Sequence, residues 1–223
     1  IAIGTSLQSA GAPETAAVLS RYLTSGALDP ELGSDGQAEI DLQFSQQASS
    51  ILPVSDGTLL AYGEHSGFTS QTFLAQMWPD GSPNSNLGTN GSLFYDVVPN
   101  GTTVAGALLQ QDRQIVSAGY TPLTQSGFVM RTEPNGQLDQ EFGTGGIAQL
   151  ANPGSSRIHA LAAQADGRIL VAGESQPAAF GGRIVMTIWR LNVDGLPDQT
   201  FGQDGIAFVA DPTAFMYAYD VAV

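Results

Sequence analysis

The stretch NVDGLPDQTFGQDG, Asn192 to Gly205, gathers three aspartates and three glycines into one short segment. Asp194, Asp198 and Asp204 could converge on calcium, a hard cation that takes several oxygens from a tightly bent backbone. His65 and His159 are the only imidazoles, and neither has the His-x-His or His-Glu-x-x-His spacing of a metal site. A Ser-His-Asp triad assembles from distant positions and stays open at this level, although no Gly-x-Ser-x-Gly elbow is present. Glu64 and Glu174 each follow a strand-like run that ends in glycine, and two carboxylates about 5 to 9 Å apart would suit glycoside hydrolysis. All of these residues also have plainer roles: acids and glycines make turns, histidines sit in strands or on surfaces, and glutamates line a solvated rim.

Composition narrows the chemistry. All seven basic residues are arginine, so lysine Schiff bases, lysine-centred phosphate loops and Ser-Lys catalysis are excluded on this chain. The absence of cysteine removes thiol nucleophiles, zinc-thiolate sites and disulfides, and leaves the redox compartment open. A formal net charge of -14 argues against a nucleic-acid partner and against anionic membrane surfaces, because basic side chains dominate affinity for phosphate. No apolar run approaches the roughly 20 residues that span a bilayer, so no membrane insertion is expected. The 223 residues suffice to bury a sizeable core.

The elements that must position the acids come from an internal repeat. Four segments align: RYLTSGALDPELGSDG from Arg21, QMWPDGSPNSNLGTNG from Gln76, RTEPNGQLDQEFGTGG from Arg131 and RLNVDGLPDQTFGQDG from Arg190. Between them recur SDGTLLAYG, QDRQIVSAG and ADGRILVAG, which end at Gly63, Gly119 and Gly173. The chain reads as one repeat domain over 1–223, with units at 5–63, 64–119, 120–173, and 174–223 together with 1–4. Apolar runs separated by Asp-Gly and Asn-Gly turns predict an all-β array, with four short strands in each unit. That is the strand count of a propeller blade, so the expected fold is a β-propeller-like array of four four-stranded blades. It would form either a four-bladed closed ring or part of a larger propeller.

The segments FVMRTEPNGQLDQEFGTGGIAQL with ADGRILVAG, and IWRLNVDGLPDQTFGQDGIAF, resemble the bacterial delta-60 repeat. The resemblance runs along essentially the whole chain and is clearest in the last two units; Leu32 and Leu87 stand where the others have Phe142 and Phe201. It implies a β-propeller fold and a secreted or surface location in a bacterium. It implies no activity, because propellers host lectins, enzymes and scaffolds alike. Gly4 falls in the phase of Gly173 and YAYDVAV from Tyr217 in the phase of IHALAAQ from Ile158, so the first strand is expected to complete the last blade. The alternative is a piece of a longer array.

The four copies test the acids of the opening stretch. Arg21, Arg131 and Arg190 each precede an aspartate, Asp29, Asp139 and Asp198, by eight residues. The one unit that loses the arginine also loses the aspartate, with Gln76 and Asn84 in their places. Joint replacement predicts contacting pairs, since an arginine bonds a carboxylate through two N–H donors and removing one partner strands the other charge. Asp194 shares its phase with Ser25, Asp80 and Asn135, and Asp204 with Asp35, Asn90 and Gly145; both read as turn positions. Asp194 and Asp204 remain the candidate calcium ligands. Leu32, Leu87, Phe142 and Phe201 read as core plugs between blades, and the sequons at Asn90 and Asn100 read as Asn-Gly turns.

The loops that differ most between copies start at Thr5, His65, Thr121 and Glu174, at the connection from one blade to the next. Variable loops on a rigid scaffold are where binding is usually placed. The expected function is a non-catalytic binding or scaffolding module that engages a glycan, protein or surface partner through these loops. A homodimer is expected if one chain does not close the ring. The alternative is a metal-dependent hydrolase or lactonase with its site at the ring centre.

Overall fold

The computed structural model describes residues 2–7, 15–40, 42, 45–66, 70–97, 101–151 and 154–223. These form an all-β protein of four antiparallel sheets, each built from strands in chain order. The first sheet holds β1 (Ala2–Leu7), β2 (Thr15–Ser20) and β3 (Gln37–Ile40). The second holds β4 (Ser45–Pro53), β5 (Leu59–Ser66), β6 (Ser70–Met77) and β7 (Ser92–Tyr95). The third holds β8 (Thr103–Leu109), β9 (Ile115–Thr121), β10 (Ser126–Thr132) and β11 (Ile147–Gln149). The fourth holds β12 (Ser156–Ala163), β13 (Ile169–Ser175), β14 (Val185–Leu191) and β15 (Ile206–Val209).

Three sheets therefore have the expected four strands, and among the described residues the first has three. Residues 217–223, which match β12 in phase, form no ladder, and β1 pairs only with β2, Ala2 opposite Ser20 through Leu7 opposite Thr15. No ladder among the described residues joins one sheet to another. The units counted from sequence share the period of the sheets but end inside β5, β9 and β13. The chain divides into two compact units, Ile1–Thr102 and Thr103–Val223, each with two sheets. No helix among the described residues is long and apolar enough to cross a membrane. Asn100, most of the Thr5 loop and part of the His65 loop lie outside the described residues.

Strand alternation makes each core. In β14, Val185, Thr187, Trp189 and Leu191 are buried while the residues between them are half-buried, the period of two that a strand imposes. In the second unit, Val116, Val129 and Phe142 of the third sheet pack with Ile158, Trp189 and Ile206 of the fourth. In the first unit, Leu19, Leu32 and Ile40 pack with Leu59, Phe73 and Met77. Leu32, Leu87 and Phe142 are buried plugs. Phe201 is only half-buried.

One irregularity repeats. The register of the first strand against the second shifts between Ala48 and Ser50, between Val104 and Gly106, and between Ile158 and Ala160. The extra residue is Ser49, Ala105 or His159. The opposing residue is Gly63, Gly119 or Gly173, and a Cβ on Gly173 would lie 2.0 Å from the Arg157 carbonyl oxygen. The recurrent glycine therefore admits a β-bulge, a feature that bends a strand and re-aims a side chain.

Candidate functional site

Both oxygens of each pairing carboxylate, Asp29, Asp139 and Asp198, are engaged. Asp29 Oδ1 accepts the Glu31 N–H at 3.0 Å, Asp139 Oδ1 the Glu141 N–H at 3.0 Å, and Asp198 Oδ1 the Thr200 N–H at 2.9 Å. The second oxygen meets the arginine: Arg21 Nε reaches Asp29 Oδ2 at 2.7 Å, Arg131 Nε reaches Asp139 Oδ2 at 2.6 Å, and Arg190 Nε reaches Asp198 Oδ2 at 2.7 Å. The fork expected from sequence is altered. In the closest pair Arg131 sends Nε and Nη2 to the same oxygen, because the turn occupies the other. In the second sheet Asn84 Nδ2 donates to Gln76 Oε1 at 3.1 Å.

Three of the four pairs have a further partner from the hairpin between the first two strands of their sheet. Arg168 Nη1 donates to Asp198 Oδ2 at 2.8 Å, Gln114 Nε2 to Asp139 Oδ2 at 3.1 Å, and Gln76 Nε2 to Thr58 Oγ1 at 3.2 Å. The sequence reading missed these partners, although Thr58, Gln114 and Arg168 share one phase of the repeat. Hydrogen bonds from Thr200, then from Arg168 and Arg190, hold the Asp198 carboxyl well below the usual carboxylate range. Burial opposes ionisation of Asp139 most strongly, yet the Glu141 N–H, Arg131 and Gln114 together hold it low as well.

Asp194 and Asp204 occupy the two turns. Asp194 Oδ1 accepts the Leu196 N–H at 3.0 Å, as Asp80 and Asn135 do for Ser82 and Gln137 at 2.8 and 2.9 Å. Asp204 sits at φ 53°, beside Asp35 at 55° and Asn90 at 51°, the left-handed conformation that Asp and Asn tolerate. Among the described residues no three His, Asp or Glu side chains are grouped to hold a metal ion.

The bulge brings the other singled-out residues together in the fourth sheet. His159, the extra residue of β12, points its Nε2 to Glu174 Oε2 on β13, 2.9 Å away. The Tyr219 ring lies 5.3 Å from His159 and stacks on Tyr217 at 6.0 Å, and both tyrosines are exposed. Beside the pair, Gln125, Ser155, Arg157, Glu174, Gln176 and Ile184 line a recess of about 120 Å³. Arg157 is exposed and its guanidinium has no hydrogen-bond or ion-pair partner among the described residues, whereas Arg21, Arg131, Arg168 and Arg190 are all engaged. Chemically this is a cation, two amides and a carboxylate–imidazole pair at one loop end, next to flat aromatic surface. His65 differs: it is buried, its ring is 4.8 Å from Phe94, and burial pushes its pKa down against the opposing pull of the Leu42 backbone carbonyl. Glu64 stands in the first unit and Glu174 in the second.

Repeated four-stranded antiparallel sheets with matched inter-sheet cores define a β-propeller-like repeat protein. A family model described as a domain of unknown function (DUF5122), beta-propeller, matches residues 164–201, from the β12–β13 hairpin to Phe201. No curated protein matches the chain.

Proposed function

We propose that the chain is a secreted or surface-attached bacterial module of the delta-60 repeat type, whose sheets are successive blades of a larger propeller. Its role is non-catalytic binding, with a glycan held at the loop end of the fourth sheet. The observation that carries this reading is Arg157: a cation without a partner among the described residues, on a chain of net charge -14, flanked by Gln125, Gln176 and Glu174. Planar side chains of this kind bond neighbouring hydroxyls through fixed donors and acceptors, and Tyr219 offers a flat face on which a sugar ring can lie. The rigid β12–β13 hairpin supplies the scaffold, and the adjoining loops differ from copy to copy.

A glycan array probed with the wild-type chain and with Arg157→Ala tests the reading. A defined set of bound glycans that disappears in the variant supports it. No bound glycan, or binding indifferent to Arg157, overturns it in favour of a protein or surface partner.

A further inference from the structure

The inter-sheet contact carries a directional fastening that the fourth sheet builds but does not use. In the first unit, Arg21 Nη1 donates to the Pro79 carbonyl at 2.6 Å and the Gly33 N–H to the Asp80 carbonyl at 2.7 Å. In the second unit, Arg131 Nη1 donates to the Val193 carbonyl at 2.6 Å and the Gly143 N–H to the Asp194 carbonyl at 2.7 Å. In both, the earlier sheet supplies the donors and the turn before the recurrent glycine of the later sheet supplies the acceptors. The fit is tight, because a Cβ on Gly81 would lie 2.6 Å from Ala38 Cβ, and one on Gly195 would lie 2.9 Å from the Gly143 nitrogen.

The fourth sheet carries the same donor set. Arg190 is held by Asp198, and its guanidinium lies 4.5 Å over the Phe201 ring as that of Arg131 lies 4.6 Å over Phe142. Yet Arg190 Nη1 and the Gly202 N–H have no hydrogen-bond acceptor among the described residues. The apolar face around them is open to match. Val129, Phe142 and Leu150 are at most 5% exposed, while Ile188 and Phe201 at the same positions are half-buried and Val209 is 45% exposed. The acceptor half stands equally idle on the first sheet. The Thr24 and Ser25 carbonyls occupy the places of Pro79 and Asp80 and accept no hydrogen bond among the described residues. Nothing lies within 4 Å of a Cβ built on Gly26, and Tyr22 and Leu23 beside it are 50% and 46% exposed.

We propose that the fourth sheet of one chain docks on the first sheet of a second copy, with Arg190 Nη1 bound to the Thr24 carbonyl and the Gly202 N–H to the Ser25 carbonyl. Each chain bears both halves of the contact, so it continues the interface already formed twice within the chain, head to tail. The charge-assisted bond and the covered Phe201 supply the affinity. The proposal is independent of the ligand at Arg157.

Sedimentation equilibrium of the 223-residue chain over a range of concentrations tests it. The wild type is expected to associate. Arg190→Gln/Asp198→Asn copies the amide pair of the second sheet, keeps the bond within the sheet and should weaken association by about tenfold. Gly26→Ala, whose methyl meets nothing inside its own chain, should weaken it as well, with circular dichroism confirming that both variants are folded. A chain that stays monomeric throughout, or an assembly that either variant leaves unchanged, overturns the proposal.

Discussion

The Arg131–Asp139 site of the third sheet and the Gln76–Asn84 site of the second share one backbone frame. In both, the residue at the aspartate position donates its N–H to the residue eight before it, at 3.0 Å for Asp139 and 2.8 Å for Asn84. Both accept the N–H two residues on, at 3.0 Å from Glu141 and 3.1 Å from Asn86. The turn therefore needs a side-chain oxygen and no charge. The difference lies in reach: Gln76 spends its amide inside its own sheet, on Asn84 and Thr58, whereas Arg131 satisfies Asp139 and still extends Nη1 to the carbonyl of Val193 in the next sheet. The charged pair joins sheets, and the neutral pair closes a turn.

The severest way to break the comparison is Asp139→Ala. The Arg131 side chain is 11% exposed, and stripping its carboxylate should cost about 3 to 5 kcal/mol in chemical denaturation. A loss under about 1 kcal/mol would mean that the Val193 carbonyl alone satisfies the arginine. Gly173→Ala comes next, because its methyl meets the Arg157 carbonyl; a loss of about 1 to 3 kcal/mol is expected, together with loss of any ligand bound beside His159. Arg131→Gln/Asp139→Asn, which writes the second sheet's solution into the third, should cost only about 1 kcal/mol. The corresponding double-mutant cycle, completed with each single variant, should show a coupling well above zero.

The smallest effect is on pH. Asp139 and Asp198 ionise more readily in the folded chain than in the unfolded one, so in acid the unfolded chain binds more protons. Their stabilisation is complete above the ordinary aspartate pKa, about 4, and is lost as pH falls through and below that value. Melting temperatures taken from about pH 6 to about pH 2 should decline, and less steeply for Arg131→Gln/Asp139→Asn. Parallel curves for the two proteins would show that Asp139 plays no part.

The period of the fold was legible because turn chemistry repeats in types that only turns favour. Asp80, Asn135 and Asp194 are not all one residue type but each accepts the N–H two positions on, and Asp35, Asn90 and Asp204 all adopt left-handed φ. The ion pairs were legible because Gln76 and Asn84 changed together. The bulge was not, since its extra residue is Ser49, Ala105 or His159, and nothing in those types announces it. Its trace in the sequence was the glycine opposite, which reads as an ordinary strand residue until the approach of the Arg157 carbonyl gives it a reason. For the same cause the meeting of His159 with Glu174, fifteen residues apart in sequence, had no signature in spacing. Arg168 was hidden by its company: beside Asp166, which it bonds at 2.9 Å, it looks like a local turn pair, and its reach to Asp198 depends on how the strands align.

The polarity of the inter-sheet fastening has a consequence for how such a chain can grow. Where it is seen, the donors come from the earlier sheet and the acceptors are backbone carbonyls of the later one. A carbonyl is supplied by any residue type, so an added repeat brings a ready acceptor whatever its side chains and a donor wherever it keeps the arginine. Duplication of a single repeat therefore lengthens the array without inventing a new contact surface. Exchange of the arginine for glutamine, the residue type of Gln76, would remove that donor while leaving the turn intact, as Asn84 still accepts the Asn86 N–H.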